Sequence, residues 1–297
     1  MHSVRSQSAM EYLMTYGWAI LIIAVVLGSL YQLGIFGTAM SGPRAQAGNC
    51  KVFRPNGPGT NAYINLEGVC TGELPQFVGS FSYPSVTSSV KTGDSHLPFG
   101  GTSRSVFTWV NWNGDVDSFN AYIINLYGTG NGVPGIQAEL LISGTSVRQV
   151  EFIGGSDDCA SGLLPTPNTW HFIGYTYQGP ATLTLYLDGS SHVCTLPSAL
   201  NTISSGSGYI GGTWDYWYGA PFAGSISNVQ IYNTSLDASE VQSLYTEGIG
   251  GAPISAQYIV GWWPLNGNAT DYSGNGNNGA PTSVTYPRSW TSGYTPP

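Results

Sequence analysis

Charged side chains are scarce in this 297-residue chain: Asp, Glu, Lys and Arg make up 8% of it, and only eight residues are Lys or Arg. These eight are scattered, so the chain has no basic patch that could neutralise the phosphates of a nucleic acid. We therefore expect no nucleic-acid partner. Gly, Tyr and Trp are abundant instead, at 41, 19 and 9 residues. This composition is more typical of an exported β protein than of a cytosolic enzyme.

Cysteines are also few, and no two of the four have CxxC spacing: Cys50, Cys70, Cys159 and Cys194. The two local pairs close the shortest loops, which predicts disulfides between Cys50 and Cys70 and between Cys159 and Cys194. Disulfides in turn indicate oxidising surroundings. The alternative is a zinc site completed by a histidine, although none of the candidates has finger spacing: His96, His171 and His192.

Hydrolase and phosphate-binding motifs are missing, since the chain has no GxSxG, HExxH or phosphate loop. Asp115 and Asp117 stand beside Gly114 in a predicted turn, and Asp157 and Asp158 form another loop pair. We interpret all four acids as solvated loop residues.

The one long uncharged, apolar run lies at the N-terminus, between Tyr12 and Phe36. It is long enough to cross a hydrocarbon layer of ~30 Å as a helix, and backbone groups in lipid must be satisfied within the segment. Glu11 stands at its start, where a carboxylate in lipid is costly and is a functional candidate. A cleaved secretory signal and a plain anchor are the alternatives.

The residues around Glu11, from Met1 to Leu13, resemble the class III signal peptide of archaeal type IV pilin-like proteins. The resemblance implies that a prepilin peptidase cuts between Ser6 and Gln7, so that residues 1–6 are a leader and residues 7–37 a membrane helix. The resemblance also implies that Glu11 neutralises an N-terminal amine, either its own or that of a neighbouring pilin-like subunit. Ser6 departs from the commoner Gly or Ala. An uncleaved anchor is the alternative.

Residues 38–73 are rich in Gly, Pro and Asn, which predicts a linker or a small disulfide-clipped subdomain. Short apolar or alternating runs follow, separated by turn residues such as Asp188 and Gly189. This spacing predicts an antiparallel sandwich or jelly roll. The single helical pattern outside the N-terminal segment covers residues 236–245, with Asp237 as its N-cap.

Five of these segments resemble the laminin G and concanavalin A-like family of lectin-type sandwiches: Phe107–Val110, Thr169–Gly174, Leu185–Gly189, Tyr209–Gly212 and Phe222–Asn233. The resemblance implies a mainly β chain whose residues 74–297 form an antiparallel β-sandwich jelly roll. Residues 258–280 resemble the piece that normally opens such a domain, yet here they come last. The segment closes its own sandwich by circular permutation, belongs to a truncated second repeat, or is donated to a neighbouring subunit; we favour the first.

Glycosidases that share this sandwich carry closely spaced acids, because hydrolysis needs two carboxylates facing one bond. The chain has no such ExDxE run. We therefore expect a binding protein and not an enzyme, with an anchored hydrolase as the remaining alternative.

The best candidate for ligand contact is a Gly-flanked aromatic run: Trp214, Asp215, Tyr216, Trp217 and Tyr218. Aromatic faces next to a carboxylate suit stacking on sugar rings or on a protein surface. The alternative is that alternate members fill the core.

Two further kinds of site follow from the sequence. Asp271, Asn275 and Asn277 offer oxygen ligands in a flexible loop, as Ca²⁺ requires. The alternative is that Gly and Asn serve the geometry of the turn alone; no other cofactor is expected. Asn233 and Asn268 begin sequons that permit N-glycosylation of an exported chain.

These features together predict a pilin-like subunit in the cell membrane and at the cell surface. It would display a lectin-type sandwich outside the cell and adhere to glycans or surface proteins. The alternative is a singly anchored receptor or envelope protein that never polymerises.

Overall fold

The computed structural model of the chain describes residues 16–17, 19–26, 52–57, 60–64, 75, 77–82, 88–114, 120–125, 138–143, 147–155, 157–204, 207–212 and 219–288. Several predicted functional residues lie outside these ranges: Ser6, Gln7, Glu11, Cys50, Cys70, Asp115, Asp117 and residues 214–218.

Only a small part of the first 74 residues is described. Residues 16–17 and 19–26 are helical and exposed. Within the ranges given above, no helix combines the length and the hydropathy needed to cross a membrane. Strands β1 (Val52–Gly57) and β2 (Thr60–Ile64) pair with each other as an antiparallel hairpin.

Two β-sheets pack face to face and form the body of the protein. The first has seven strands, which are, from one edge to the other, β12 (Ser190–Thr195), β11 (Thr182–Leu187), β10 (Trp170–Gln178), β5 (Arg104–Trp112), β15 (Gly224–Tyr232) and β16 (Ile259–Trp263), with β3 (Gly79–Phe81) also pairing with β15.

The second sheet has eight strands. In order they are β17 (Ala280–Thr282), β4 (Ser89–Thr92), β13 (Gly208–Ile210), β6 (Asn120–Asn125), β7 (Glu139–Ile142), β8 (Val150–Ile153) and β9 (Cys159–Ala160), with β14 (Gly219–Pro221) also beside β6. The pairings in both sheets are antiparallel apart from β14 with β6, so the predicted antiparallel sandwich is confirmed.

In strand β5 successive side chains point to opposite faces of the sheet, so they pack in two different layers. Val106, Val110 and Trp112 belong to the core cluster between the sheets. Phe107 and Trp109 belong instead to an apolar cluster on the opposite face of the seven-stranded sheet. A ten-residue helix, Ala238–Glu247, covers that face and is called the outer helix here.

The outer helix begins as its sequence predicts. Asp237 is the N-cap: its side chain accepts hydrogen bonds from the backbone N–H groups of Ser239 and Glu240. The Glu240 side chain accepts from the Asp237 N–H in return. This reciprocal capping box satisfies amide groups that a helix start leaves without partners.

The segment after the outer helix lies within the same sandwich. Strand β16 pairs with β15, with Trp263 opposite Val229. Trp263 has 0% of its surface exposed and sits in the core between the sheets. Strand β16 therefore takes a place in the chain's own core, and closure of the sandwich by residues 258–280, as opposed to a second repeat or a strand donated to a neighbour, stays a prediction.

A disulfide joins Cys159 to Cys194, as predicted, with a Cα–Cα distance of 6.1 Å. Cys159 lies in β9 at one edge of the eight-stranded sheet, and Cys194 lies in β12 at one edge of the seven-stranded sheet. The bond therefore ties the two sheets together along one side of the sandwich.

Candidate ligand-binding surface

Four residues are aligned across neighbouring strands of the eight-stranded sheet and form what we call the polar row: Lys91, Tyr209, Asn125 and Glu139. A strand neighbour of each lies in the core between the sheets: Val90, Ile210, Ile124 and Leu140. Successive side chains of a strand point to opposite faces. The polar row therefore lies on the outer face of the eight-stranded sheet.

Exposure falls along the polar row from one end to the other. Lys91 is exposed and Tyr209 is half-buried, whereas Asn125 and Glu139 are buried. The Asn125 Nδ2 donates a hydrogen bond of 2.7 Å to the Glu139 Oε1. The Lys91 end is thus accessible to a ligand, and the Glu139 end holds Asn125 in a fixed orientation.

Glu139 has an altered protonation state. Burial, and to a smaller extent the nearby charge of Asp158, raises the pKa of Glu139 to about 8. Partial desolvation of the carboxyl group raises the pKa of Asp158; the hydrogen bond from the Gly154 N–H opposes this rise, and the charges of Glu151 and Asp157 add to it. At pH 7 the Glu139 carboxyl is therefore mostly neutral, and its O–H group can donate a hydrogen bond.

Substituting Glu139→Gln should remove a pH dependence of stability. Between pH ~4.5 and ~8 the folded chain keeps a proton on Glu139 that the unfolded chain releases, so the free energy of unfolding falls as the pH rises through this window. Glutamine has no proton to lose and can still accept the hydrogen bond from Asn125. We expect the variant to be more stable than the wild type by about 1 to 3 kcal/mol at pH 9 and similar to it at pH 4.

Urea unfolding of both proteins across this pH range measures the difference. A wild type whose stability runs parallel to that of the variant from pH 4 to pH 9 would contradict the assignment of a neutral Glu139.

Strand β6 pairs with both strands that flank the aromatic run 214–218 in sequence. Strand β13 precedes it and pairs antiparallel with β6, and strand β14 follows it and pairs parallel with β6. The two ends of the connection meet where the Phe222 N–H donates to the Gly211 carbonyl at 2.9 Å. The chain therefore leaves the sheet after Ile210, which lies opposite Ile124, and re-enters it at Gly219, which lies opposite Asn120. Tyr209 of the polar row lies directly before the point of exit.

Glycine is required at the base of this connection. Gly211 has a φ of +78°, which disfavours any residue with a side chain. A Cβ atom placed there would also collide with the ring of Phe81. Glycine at position 211 is therefore needed for the turn by which the chain leaves strand β13.

The predicted calcium ligands are occupied by bonds within the protein. Asp271 is fully buried, and its Oδ1 accepts from the backbone N–H groups of Trp262 and Ser273 at 3.0 and 2.9 Å. Its Oδ2 accepts from the Asn277 N–H at 2.9 Å. The Asn275 Nδ2 donates to the Val260 carbonyl. These bonds favour a structural role for the loop, and calcium binding stays a prediction.

The Asn277 side chain faces away from Asp271, towards the loop after β4. Its Oδ1 accepts from the Ser95 N–H and its Nδ2 donates to the Ser95 carbonyl, both at 2.8 Å. Asn277 therefore ties the loop of residues 271–277 to the neighbouring sheet.

The three candidate histidines lie on separate segments. His171 is buried, and its Nδ1 lies 2.5 Å from the Asp188 Oδ2. Burial lowers the pKa of His171, but the bond to Asp188 and its charge, with a further bond to Thr166, outweigh burial and raise that pKa. His96 is exposed in a turn. Neither residue lies near a cysteine pair in sequence or in the sheets.

The third histidine meets both cysteines of the disulfide. Potential ligand atoms of His192, Cys159 and Cys194 lie within 4.8 Å of one another. The two sulfurs are bonded to each other, so thiolate ligands are not available. The structure therefore favours the disulfide over the zinc alternative at this place.

The remaining predicted positions have ordinary surroundings. Asp157 is buried and its Oδ2 accepts from the Ser198 Oγ, so it is not the solvated acid that we expected. Asp158 is exposed, and its Oδ1 accepts from the Gly154 N–H. The two sequon residues are exposed, as glycosylation requires: Asn233 and Asn268.

Sequence reasoning missed the polar row altogether. Its members come from four strands and are far apart in the chain, so only the register between strands brings them together. A local signal existed only at Glu139, where a carboxyl directly precedes the apolar run Leu140–Ile142.

Comparisons with known proteins agree with this fold. The Laminin_G_3 family, described as the Concanavalin A-like lectin/glucanases superfamily, matches residues 84–242. No curated protein matches the chain by sequence.

Solved structures extend the likeness beyond the family match. A Bacteroides ovatus protein described as a "putative carbohydrate binding protein" is 17% identical over 77% of this chain, with a TM-score of 0.57. The chain spans 63% of that protein, which is less than two thirds of it. A heptameric SAP-like pentraxin from Limulus polyphemus is 13% identical over 72% of this chain and 95% of its own, with a TM-score of 0.50. At such identities the likeness shows the fold alone. Because the family match covers more than half of the residues, the chain belongs to the Laminin_G_3 family of concanavalin A-like lectin domains.

Proposed function

We propose that the chain is a cell-surface protein whose sandwich binds glycans on the outer face of the eight-stranded sheet. The observation that carries this proposal is that Tyr209 of the polar row and both strands that flank the aromatic run 214–218 pair with the same strand, β6. Sugar rings bind to protein through stacking on aromatic faces and hydrogen bonds to their hydroxyl groups. In this proposal the polar row supplies the hydrogen bonds and the aromatic run supplies the stacking faces.

The acids near the Glu139 end of the polar row disfavour an anionic sugar at that end. Glu139 lies among the further acids Glu151, Asp157 and Asp158, whose charges act on one another. An anionic sugar at that end would meet like charge, which disfavours binding. The hydroxyl groups of a sugar can instead bond to the more accessible half of the row. Lys91 donates hydrogen bonds, and the Tyr209 hydroxyl can donate or accept them.

The family and one structural neighbour support binding. The family is described as lectin and glucanase-like, and the Bacteroides protein is described as binding carbohydrate. We propose binding and not hydrolysis, because Asp157 already accepts a hydrogen bond from the Ser198 side chain and Asp158 accepts one from the Gly154 N–H. Hydrolysis would need two carboxyls free to face one glycosidic bond.

Glycan-array binding by the full chain tests this proposal. We expect the double substitution Trp214→Ala and Trp217→Ala to weaken binding to the best neutral glycan about tenfold, because two stacking faces are lost. Tyr258→Ala is the matched control: Tyr258 is an aromatic residue with 43% exposure, next to strand β16 of the other sheet. Equal binding by the wild type and the double variant would remove the aromatic run from the site.

We further propose that the N-terminal segment is processed as in archaeal pilin-like proteins, which would place the sandwich outside the cell beside other subunits. This proposal rests on the resemblance of residues 1–13 and on the uncharged run that follows. A mature chain isolated from cells that begins at Gln7 supports cleavage by a prepilin peptidase. A chain that retains Met1 supports the alternative, a singly anchored receptor or envelope protein that does not polymerise.

A further inference from the structure

Three potential metal ligands meet at the disulfide that joins the two sheets. The Sγ atoms of Cys159 and Cys194 and a ring nitrogen of His192 lie within 4.8 Å of one another. His192 stands two residues before Cys194 in β12, so the two side chains point to the same face of that strand. Cys159 comes from β9 of the other sheet. Both sheets therefore contribute a donor atom to one place.

The His192 ring is available as a ligand, whereas the His171 ring is not. Both nitrogens of His171 are engaged, Nδ1 with Asp188 and Nε2 with Thr166. Within the described ranges, the ring of His192 makes no hydrogen bond or ion pair, and the residue is exposed. His192 could therefore bind a metal ion without breaking a bond of the fold.

A thiol can reduce the disulfide from the solvent side. Cys194 is half-buried in an edge strand, whereas Cys159 is only 2% exposed. A thiolate from solvent therefore attacks the Sγ of Cys194, and the electron pair of the broken S–S bond stays on the Sγ of Cys159. A second thiol then displaces the first. Two external thiols become one disulfide, and both cysteines gain a proton and are reduced.

The charges close to Cys159 favour a cation. Asp157 and Asp158 directly precede Cys159 in the chain, and the charge of Glu151 acts on Asp158. The whole chain has a net charge of -8. A negative field raises the local concentration of cations, so a metal ion would be drawn to this side of the sandwich.

We propose that reduction converts this disulfide into a Zn²⁺ site formed by the thiolates of Cys159 and Cys194 and the imidazole of His192. Two thiolates and one imidazole are a donor set that suits Zn²⁺. Three protein ligands leave the fourth tetrahedral position to water. Binding of the two thiols to Zn²⁺ releases two protons. The thiolate–zinc–thiolate bridge then takes the place of the S–S bond.

The positions of the donors fit this exchange. The donor atoms of a tetrahedral Zn²⁺ centre lie roughly 3.5 to 3.8 Å from one another, so small side-chain rotations would bring the three atoms into place. Because the two sulfurs belong to different sheets, the metal would keep the sheets tied together after reduction. This inference does not depend on glycan binding, so either proposal can fail without the other.

Cobalt titration of the reduced full chain tests the site. Cys50→Ser and Cys70→Ser are introduced throughout, so that Cys159 and Cys194 supply the only thiols. The chain is reduced with a phosphine, and Co²⁺ is added as a probe for Zn²⁺. Thiolate ligands give Co²⁺ a charge-transfer absorption in the near ultraviolet, and displacement of Co²⁺ by Zn²⁺ then gives the Kd for Zn²⁺.

We expect this absorption in the reduced chain and not in the oxidised one. Loss of an outer-shell partner already costs a metal site about 10- to 100-fold in affinity, so His192→Ala should weaken Zn²⁺ binding at least tenfold. Cys159→Ser should abolish the absorption. The matched control is His96→Asn, which removes another exposed histidine and should leave the Kd unchanged; asparagine suits the positive φ of 62° there.

Three results would overturn the proposal. The first is a reduced chain without the absorption, and the second is an equal affinity for Zn²⁺ in the His192→Ala variant and its parent. The third is a reduced chain whose far-UV circular dichroism is that of an unfolded chain even with saturating Zn²⁺, because the metal would then have failed to replace the bond between the sheets.

Discussion

Replacing Trp263 with alanine should lower the free energy of unfolding by about 3 to 5 kcal/mol. Trp263 is fully buried between the two sheets, and its indole N–H donates to the Asn277 carbonyl at 2.9 Å. Its removal leaves a large cavity in the core and one carbonyl without its partner. Chemical denaturation of the full chain, monitored by far-UV circular dichroism, measures the change.

Tyr258→Ala is the matched control for this prediction. Tyr258 lies five residues earlier in the same segment and is 43% exposed, so its loss should change stability by less than ~0.5 kcal/mol. If residues 258–280 served only a neighbouring subunit, Trp263→Ala would weaken assembly and leave the stability of the monomer unchanged. That outcome would contradict closure of the chain's own sandwich.

Replacing Asp271 with alanine should cost about 3 to 4 kcal/mol, because three backbone N–H groups, two of them in buried hydrogen bonds, lose a charged acceptor at once. The loss should be the same with and without Ca²⁺, since the carboxylate bonds only to protein groups. Asp271→Asn should cost less, because the amide oxygen still accepts on one side. Thermal unfolding in the presence of Ca²⁺ and of a chelator measures both effects.

The control is Asp94→Ala, which removes a more accessible carboxylate that accepts from the Ser204 Oγ at 2.6 Å. It should change stability by less than ~1 kcal/mol. A destabilisation by Asp271→Ala that disappears when calcium is chelated would instead support the calcium prediction and contradict a purely structural carboxylate.

Local patterns were enough to predict much of the fold. The alternation in β5 and β15 and the Asp-Gly turn between β11 and β12 are properties of a few neighbouring residues, and the structure has these elements. The capping box of Asp237 and Glu240 is likewise contained within four residues. Elements of this kind follow from propensity and periodicity alone.

The candidate site depends on contacts that are distant in sequence, and it could not be predicted in the same way. Lys91 and Tyr209 are 118 residues apart, yet they face each other across β4 and β13. The raised pKa of Glu139 depends on the burial of its carboxyl group in the folded protein and on the charge of Asp158, which lies in a loop. No pattern within one segment contains this information.

The loop around Asp271 shows why a motif alone can be read in two ways. A carboxylate followed by Ser, Gly and Asn suits a cation, and it equally suits a set of backbone amides that need an acceptor. The complete burial of Asp271 and its three N–H donors favour the second use. Those donors include Trp262, which belongs to the strand before the loop.

The most direct test of glycan binding on the outer face of the eight-stranded sheet is hydrogen–deuterium exchange of the full chain with and without its best array glycan. Bound glycan should slow amide exchange in β4, β6, β13 and β14, the strands that carry Lys91, Asn125 and Tyr209 and the base of the aromatic run. Exchange in β10 and β11 should not change. Slowing confined to the seven-stranded sheet would contradict the assignment of the binding surface.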